Sequence, residues 1–258
     1  MEISIIVDDK LTYIEEYISI GITNFEITLN EDPTYFIKNI KTIEEKLKKE
    51  NVKIASLGQW GSLKIINGKI NEKQIEVDKQ LINICMQLGT TIFITGVNRD
   101  EILNEEENNK LAIRYLSELV NYAENVGVTV CIYNCDWNNY ILNESKWTQI
   151  INEVPKLKIK YDPSHAFYRN QNYLEELENR ISDIGHFHVK GGMKINNTRY
   201  DDPPAFMDQI DWNSIFGILN IENYNGYVSI EPHSLNIKKE KIINGVSFTF
   251  KKLNEFIL

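Results

Sequence analysis

Cysteine is scarce in this chain. Cys85, Cys131 and Cys135 are the three thiols among 258 residues; their number is odd and none form a C-x-x-C pair. Free thiols in a reducing cytoplasm are the simplest reading. Positive charge is also short: 28 Lys and Arg face 37 Asp and Glu, a net charge of −9. Binding a phosphate backbone needs a basic face, so nucleic acid is set aside as the main partner. A small anionic substrate met by a few local lysines stays open. No apolar run approaches the length of a membrane span, so no membrane partner is expected. The first residues, MEISIIVDDK, enter a strand directly with no basic n-region, so no signal peptide is expected. Glycine is missing where a doubly wound nucleotide-binding sheet would carry its phosphate loop, because VDDKLTYIEE follows the first strand. Linkers and low-complexity tracts are lacking too, which points to one domain over residues 1–258.

What is present is an alternation. The hydrophobic fraction of 42% and charged fraction of 25% are those of an ordinary globular protein. Strands are predicted at Ile3–Val7, Asn24–Leu29, Val52–Leu57, Thr91–Val97, Val128–Tyr133, Leu157–Asp162, His186–Val189 and Gly226–Glu231. Helical spacing follows each, over Leu11–Ile20, Pro33–Lys49, Glu72–Leu88, Glu105–Val126, after Asn143, over Tyr173–Ile181, from Trp212, and over Lys239–Phe256. Strand–helix units repeated eight times imply a parallel sheet and favour closure into a (β/α)8 TIM barrel; an open doubly wound sheet is the runner-up.

The stretch LKIKYDPSH, Leu157–His165, organises the rest. Leu157, Ile159 and Tyr161 alternate with Lys158, Lys160 and Asp162, and Pro163 stops the strand because it has no N–H for the ladder. In a barrel the apolar set faces the helices and the other set faces inward. The same rule turns His186, His188 and Lys190 inward on strand seven and Ser229, Glu231 and His233 inward on strand eight. It puts Thr129, Cys131 and Tyr133 inward on strand five, and Glu26, Thr28 and Asn30 inward on strand two. Asp162, His188 and Glu231 then end three consecutive strands at the face where barrels of this type carry their chemistry. Two carboxylates and one imidazole suit a divalent ion, with Mn²⁺ or Mg²⁺ first and Zn²⁺ or Co²⁺ as alternatives. Such an ion bridging adjacent sugar oxygens stabilises an enediolate while a carboxylate moves the proton. Taken singly, each histidine is more often a hydrogen-bonded core residue and each carboxylate a structural ion pair. All four histidines of the chain, however, fall at the ends of strands six to eight.

These pieces carry a family resemblance. GITNFEI (Gly21–Ile27), YDPSH (Tyr161–His165), HFHVKGG (His186–Gly192), MDQIDW (Met207–Trp212) and SIEPH (Ser229–His233) resemble the xylose isomerase-like TIM barrels, the sugar phosphate isomerase and epimerase group. That group includes ketose 3-epimerases, hydroxypyruvate isomerase, inosose dehydratase and endonuclease IV. The resemblance implies Asp162, His188 and Glu231 as metal ligands, Glu231 as the base, and His165 as a catalytic, substrate-contacting histidine. It implies substrate contacts from Lys190 and Arg199, and from Trp60 and Trp137 stacking on a sugar face, with rim packing as the plain alternative for both tryptophans. The implied activity is a metal-dependent isomerase or epimerase of a sugar, sugar phosphate or polyol, with an inosose dehydratase-like lyase as an alternative. The −9 charge and the shortage of histidines speak against the endonuclease branch.

One position departs from the pattern. The family's first glutamate ends strand five, and here that place is Tyr133 in Ile132-Tyr133-Asn134-Cys135. A phenol titrates near ~10 and is a poor ligand or base at neutral pH. Tyr133 is therefore expected to hydrogen-bond a substrate oxygen, with Asp136 or Glu26 as replacement carboxylates. A barrel that binds carbohydrate without turning it over is the bland alternative. A small carbohydrate is the expected partner, and homo-oligomerisation is left open.

Overall fold

A computed structural model describes residues 1–30 and 32–258, residue 239 by its backbone. Eight parallel strands close into a barrel: β1 (Glu2–Asp8), β2 (Asn24–Asn30), β3 (Lys53–Trp60), β4 (Ile92–Thr95), β5 (Thr129–Tyr133), β6 (Lys158–Tyr161), β7 (Ile184–Val189) and β8 (Tyr227–Ile230). Each strand pairs with its sequence neighbours, and β8 closes on β1 through Glu2↔Tyr227 to Ile5↔Ile230. Around it lie α1 (Ile14–Ser19), α2 (Thr34–Lys49), α3 (Glu72–Leu88), α4 (Glu105–Asn125), α5 (Glu144–Ile151), α6 (Pro163–Tyr168), α7 (Tyr173–Arg180), α8 (Trp212–Ile221) and α9 (Lys239–Phe256). The expected (β/α)8 TIM barrel is the fold observed.

The period-2 pattern does what the closed sheet requires. Ile5, Phe25, Ile27, Leu57, Phe93, Ile132, Ile159, Phe187 and Val228 are buried beneath the helices as the main apolar core. The alternate residues fill the interior, which is polar on one side: the Ser4 and Ser229 hydroxyls meet at 2.5 Å, and Glu26 and His186 are fully buried. On the other side Trp60, Ile94, Cys131 and Tyr133 form a second, interior apolar cluster.

Three local features differ from expectation. β3 runs on to Trp60, so this tryptophan ends the strand instead of following it. Pro163 does more than stop β6: it sits in the first turn of α6, where its missing N–H costs nothing, and Asp162 is the N-cap. Two stretches that carry no predicted strand or helix are antiparallel hairpins, Ile65–Ile66 with Lys69–Ile70 and Met193–Ile195 with Thr198–Asp201. The second turns through Asn196 and Asn197, both at positive φ, the backbone that tight hairpin turns demand. It stands beside the mouth of the barrel.

Candidate active site

The site is assembled at the C-terminal ends of β6, β7 and β8. Asp162 is fixed from three directions. Its backbone N–H donates to Asn134 Oδ1 at 3.1 Å, its carbonyl accepts from Asn134 Nδ2 at 2.9 Å, and its Oδ1 caps α6 by accepting from Ser164 N at 2.9 Å. Asn134 thus ties the end of β5 to the end of β6. The remaining oxygen, Asp162 Oδ2, is buried and receives no hydrogen bond of good geometry, although it lies 3.1 Å from Lys190 Nζ and 3.2 Å from His165 Nε2.

His188 on β7 is held at both nitrogens. Nε2 lies 2.9 Å from each oxygen of Glu26 on β2, and Nδ1 lies 2.7 Å from Glu231 Oε2. Burial favours the neutral ring, but the Glu26 charge together with the hydrogen bonds to Glu231 and Glu26 outweighs it, so His188 titrates above the ordinary histidine value. Burial pushes the Glu26 carboxyl up; His188 and then His186 more than reverse that and hold it well below the usual range. His186 Nε2 reaches Glu26 Oε2 at 2.5 Å, while its Nδ1 has no partner among the described residues. Burial lowers the His186 pKa, consistent with a neutral ring donating from Nε2.

Lys190 closes the arrangement. Its ammonium lies 3.1 Å from Asp162 Oδ2, 3.7 Å from Glu231 Oε1 and 3.1 Å from His165 Nε2. Burial disfavours that charge, yet Asp162 and then Glu231 raise it above the usual lysine range. Asp162 and Glu231, each penalised by burial, are in turn held low chiefly by the Lys190 charge. His165 is pushed down to about 4 by burial and the adjacent Lys190 ammonium. A neutral His165 accepting from Lys190 at Nε2 has no proton there for Asp162, so Asp162 Oδ2 is left to its ion pair with the Lys190 ammonium.

This cluster opens into a cavity of about 390 Å³ lined by Lys160, His165, His188, Lys190 and Glu231, and by Thr28, Trp60, Asp136, Trp137, Arg199 and His233. Of the residues expected from sequence, Asp162, His188 and Glu231 each bring a donor atom within 4.8 Å of the others. His165, Lys190, Trp60, Trp137 and Arg199 all border the cavity. Trp137 is exposed at the rim; Trp60 is buried. Arg199 is half exposed and pairs with Asp202.

Tyr133 is a correction. Its ring stacks on Trp60 at 5.6 Å between centroids and 11° between planes, and its hydroxyl donates to the Trp137 carbonyl at 2.8 Å. Burial keeps the phenol protonated, and Tyr133 is not among the residues that line the cavity. Gly58 and Gly96 make this stack fit, since a Cβ at either would lie 2.2 Å from the Trp60 or the Tyr133 ring. His233 is a second, smaller one: it lies beyond the end of β8, at the mouth, with Nδ1 2.7 Å from Asp202 Oδ2. Two residues expected only to point inward, Glu26 and Lys160, take defined places at the site, and Asp202 escaped the sequence reading. Glu26 reaches the site by bridging His186 and His188. Asp202 gathers Tyr168, Arg199 and His233. Lys160 projects into the cavity floor.

The donor set fits a divalent cation. Two carboxylates and an imidazole give a three-ligand site of the open kind, and the buried, unbonded Asp162 Oδ2 is a ready ligand atom. Glu26 on the far nitrogen of His188 is the partner that a metal-binding imidazole usually has.

The model of the xylose isomerase-like TIM barrel family matches residues 14–251. No curated protein matches the chain by sequence. Among solved structures, a D-psicose 3-epimerase from Clostridium cellulolyticum H10, determined with D-tagatose, aligns at TM-score 0.79 and 16% identity, covering 99% of each chain. A probable 3-DHS dehydratase from Bacillus anthracis aligns at 0.77 and 15% identity, covering 98% of this chain and 99% of the other. A xylose isomerase domain protein from Planctomyces limnophilus aligns at 0.78 and 12% identity, over 98% and 96%. At these identities the likeness is one of fold.

Proposed function

Because the chain belongs to the xylose isomerase-like TIM barrel family, we propose that it is an isomerase or epimerase of a small carbohydrate, working by proton transfer through an enediolate. The observation that carries this reading is that donor atoms of Asp162, His188 and Glu231 lie within 4.8 Å of one another, with His188 and Glu231 lining the cavity. These three residues would hold a divalent ion, Mn²⁺ by preference, with Mg²⁺, Co²⁺ or Zn²⁺ as alternatives. Its chemistry there is to neutralise negative charge developing on substrate oxygens.

The chain's own groups do the rest. Glu231, ionised through its neighbours Lys190 and His188, takes the proton from the carbon beside the substrate carbonyl. His165, neutral at physiological pH, contacts a substrate hydroxyl. Lys190 keeps Asp162 and Glu231 charged, and Trp60 and Trp137 wall the cavity against water. Tyr133, standing where the resemblance leads one to expect a glutamate, leaves one carboxylate fewer at the site. That favours a reaction in which a single base takes and returns the proton, as in aldose–ketose isomerisation. It also supports a second reading, dehydration, which shares the first step; a probable dehydratase is among the similar folds. Two-base epimerisation would have to draw on Asp136 at the rim.

The test is exchange of substrate C–H for deuterium in D₂O, across a panel of ketoses and aldoses, after loading with Mn²⁺. Glu231→Gln should lose about 10²–10⁴-fold in exchange rate while the barrel stays folded, read by far-UV circular dichroism. Metal analysis of the parent and of Asp162→Ala should show stoichiometric metal and its loss. Saccharide binding without exchange and without response to Mn²⁺ would replace the enzyme with a binding barrel.

A further inference from the structure

Lys160 sits in the barrel interior on β6, its side chain 2% exposed, and lines the cavity floor near Ile6 and Thr28. Its charged neighbour is Asp162 Oδ2 at 3.9 Å, beyond hydrogen-bond distance, and among the described residues no group hydrogen-bonds its ammonium. Every other cation around the cavity has acceptors: Lys190 lies between Asp162 and His165, His188 between Glu26 and Glu231, and Arg199 against Asp202. Asp162 and Glu231 are each closer to Lys190 than Asp162 is to Lys160. An ammonium largely removed from solvent with no hydrogen-bonded acceptor is costly; this one has only the longer ion pair with Asp162 and lines the cavity.

We propose that Lys160 is the specificity-determining residue of an anion subsite on the cavity floor, and that the substrate presents a carboxylate to it, so that the natural substrate is a sugar acid and not a neutral sugar. A single ammonium with no hydrogen-bonded acceptor matches the single charge of a carboxylate; a phosphate ester would bring a second charge without a second such cation. An acidic protein with a local lysine in its cavity also confines anion binding to this one place, since its outer surface repels the same ligand. The inference rests on the cavity being the substrate site.

Calorimetric titration with a matched set tests it: D-fructose, D-fructuronate, which differs by a carboxylate at C6, and D-fructose 6-phosphate. The parent should bind D-fructuronate at least tenfold more tightly than D-fructose. Lys160→Met and Lys160→Gln should abolish that preference while retaining the parent's metal content. Lys160→Met should also melt at a higher temperature than the parent, as expected when a buried charge kept for binding is removed. Equal binding of D-fructose and D-fructuronate, or a lower melting temperature of Lys160→Met, would overturn the subsite and assign Lys160 to holding Asp162. Tighter, Lys160-dependent binding of the phosphate ester would overturn the carboxylate. Deuterium exchange measured on the same ligands separates the two readings: exchange into D-fructose with no acid preference sinks the subsite alone. Acid preference without exchange into any ligand retains the subsite and sinks the isomerase.

Discussion

Tyr133 shows how one side chain redirects a site. The sequence places it where the family has a glutamate, and alternation correctly turns it into the barrel. Alternation says nothing about which way the ring then leans. That is decided by Gly58 and Gly96, which leave room for the Trp60–Tyr133 stack and draw the hydroxyl to the Trp137 carbonyl. Tyr133→Phe should therefore cost about 1 kcal/mol of stability, the worth of one hydrogen bond, and change turnover less than twofold. A tenfold loss of turnover at unchanged stability would mean that the hydroxyl reaches substrate after all. Tyr133→Glu should not restore the family pattern, because the new carboxylate would be buried against an aromatic ring without a partner. At Glu26 the inward direction was legible but the depth was not. Depth depends on the register between β2 and β3, which shifts between Phe25 and Glu26. With Glu26 in contact with His188 Nε2, Glu26→Gln should weaken metal binding by about 10–100-fold, read by titration of the purified protein with Mn²⁺.

Among the elements, the barrel strands were readable because each carries a period-2 pattern that only one register can bury. The pieces that shape the mouth were not, because their order comes from contacts distant in sequence. Asp202 is the example. Its buried carboxylate accepts from Tyr168 on α6 at 2.6 Å, from Arg199 on the hairpin, and from His233 after β8 at 2.7 Å. Burial raises its pKa, and the hydrogen bonds from His233 and Tyr168 outweigh that and lower it. One side chain thus fastens three segments that border the cavity. Arg199 also lies over the Tyr168 ring at 4.8 Å, so the hairpin has a second anchor. Asp202→Ala should loosen the hairpin without unfolding the barrel. Hydrogen exchange should rise over residues 193–206 and around His233 while β1 to β8 stay protected, and a uniform rise would show that Asp202 supports the whole fold.

At the scale of the whole molecule, three carboxylates inside the closed strand ring, Glu26, Asp162 and Glu231, are all held ionised by cations buried with them. Their folded-state pKa values lie below those of an unfolded chain. Each therefore contributes stability that is complete above its ordinary range, about 4.5 for glutamate, and is lost as pH falls towards the depressed folded value. Asp208 has the opposite sign: burial raises it to about 6, so its contribution is complete at low pH and disappears as pH rises through that value. It sits in the loop before α8, accepting from Gly192 N and Trp212 Nε1, and its effect opposes the barrel interior's between about pH 4 and 6. The interior group is larger in number and more deeply buried, so it sets the net slope. Below about 6.5 an unfolded chain takes up protons that the buried His165, pushed down to about 4, does not, so the metal-free protein should begin to lose stability there and lose it most steeply once pH drops below about 4.5. Glu26→Gln removes one of the three depressed carboxylates, and its acid limb should be shallower than the parent's even if its melting temperature at pH 7 is lower. Parallel acid limbs for the two proteins would mean that Glu26 titrates in the fold as it does in the unfolded chain, and that the carboxylate–imidazole contacts at the base of the site do not hold it ionised.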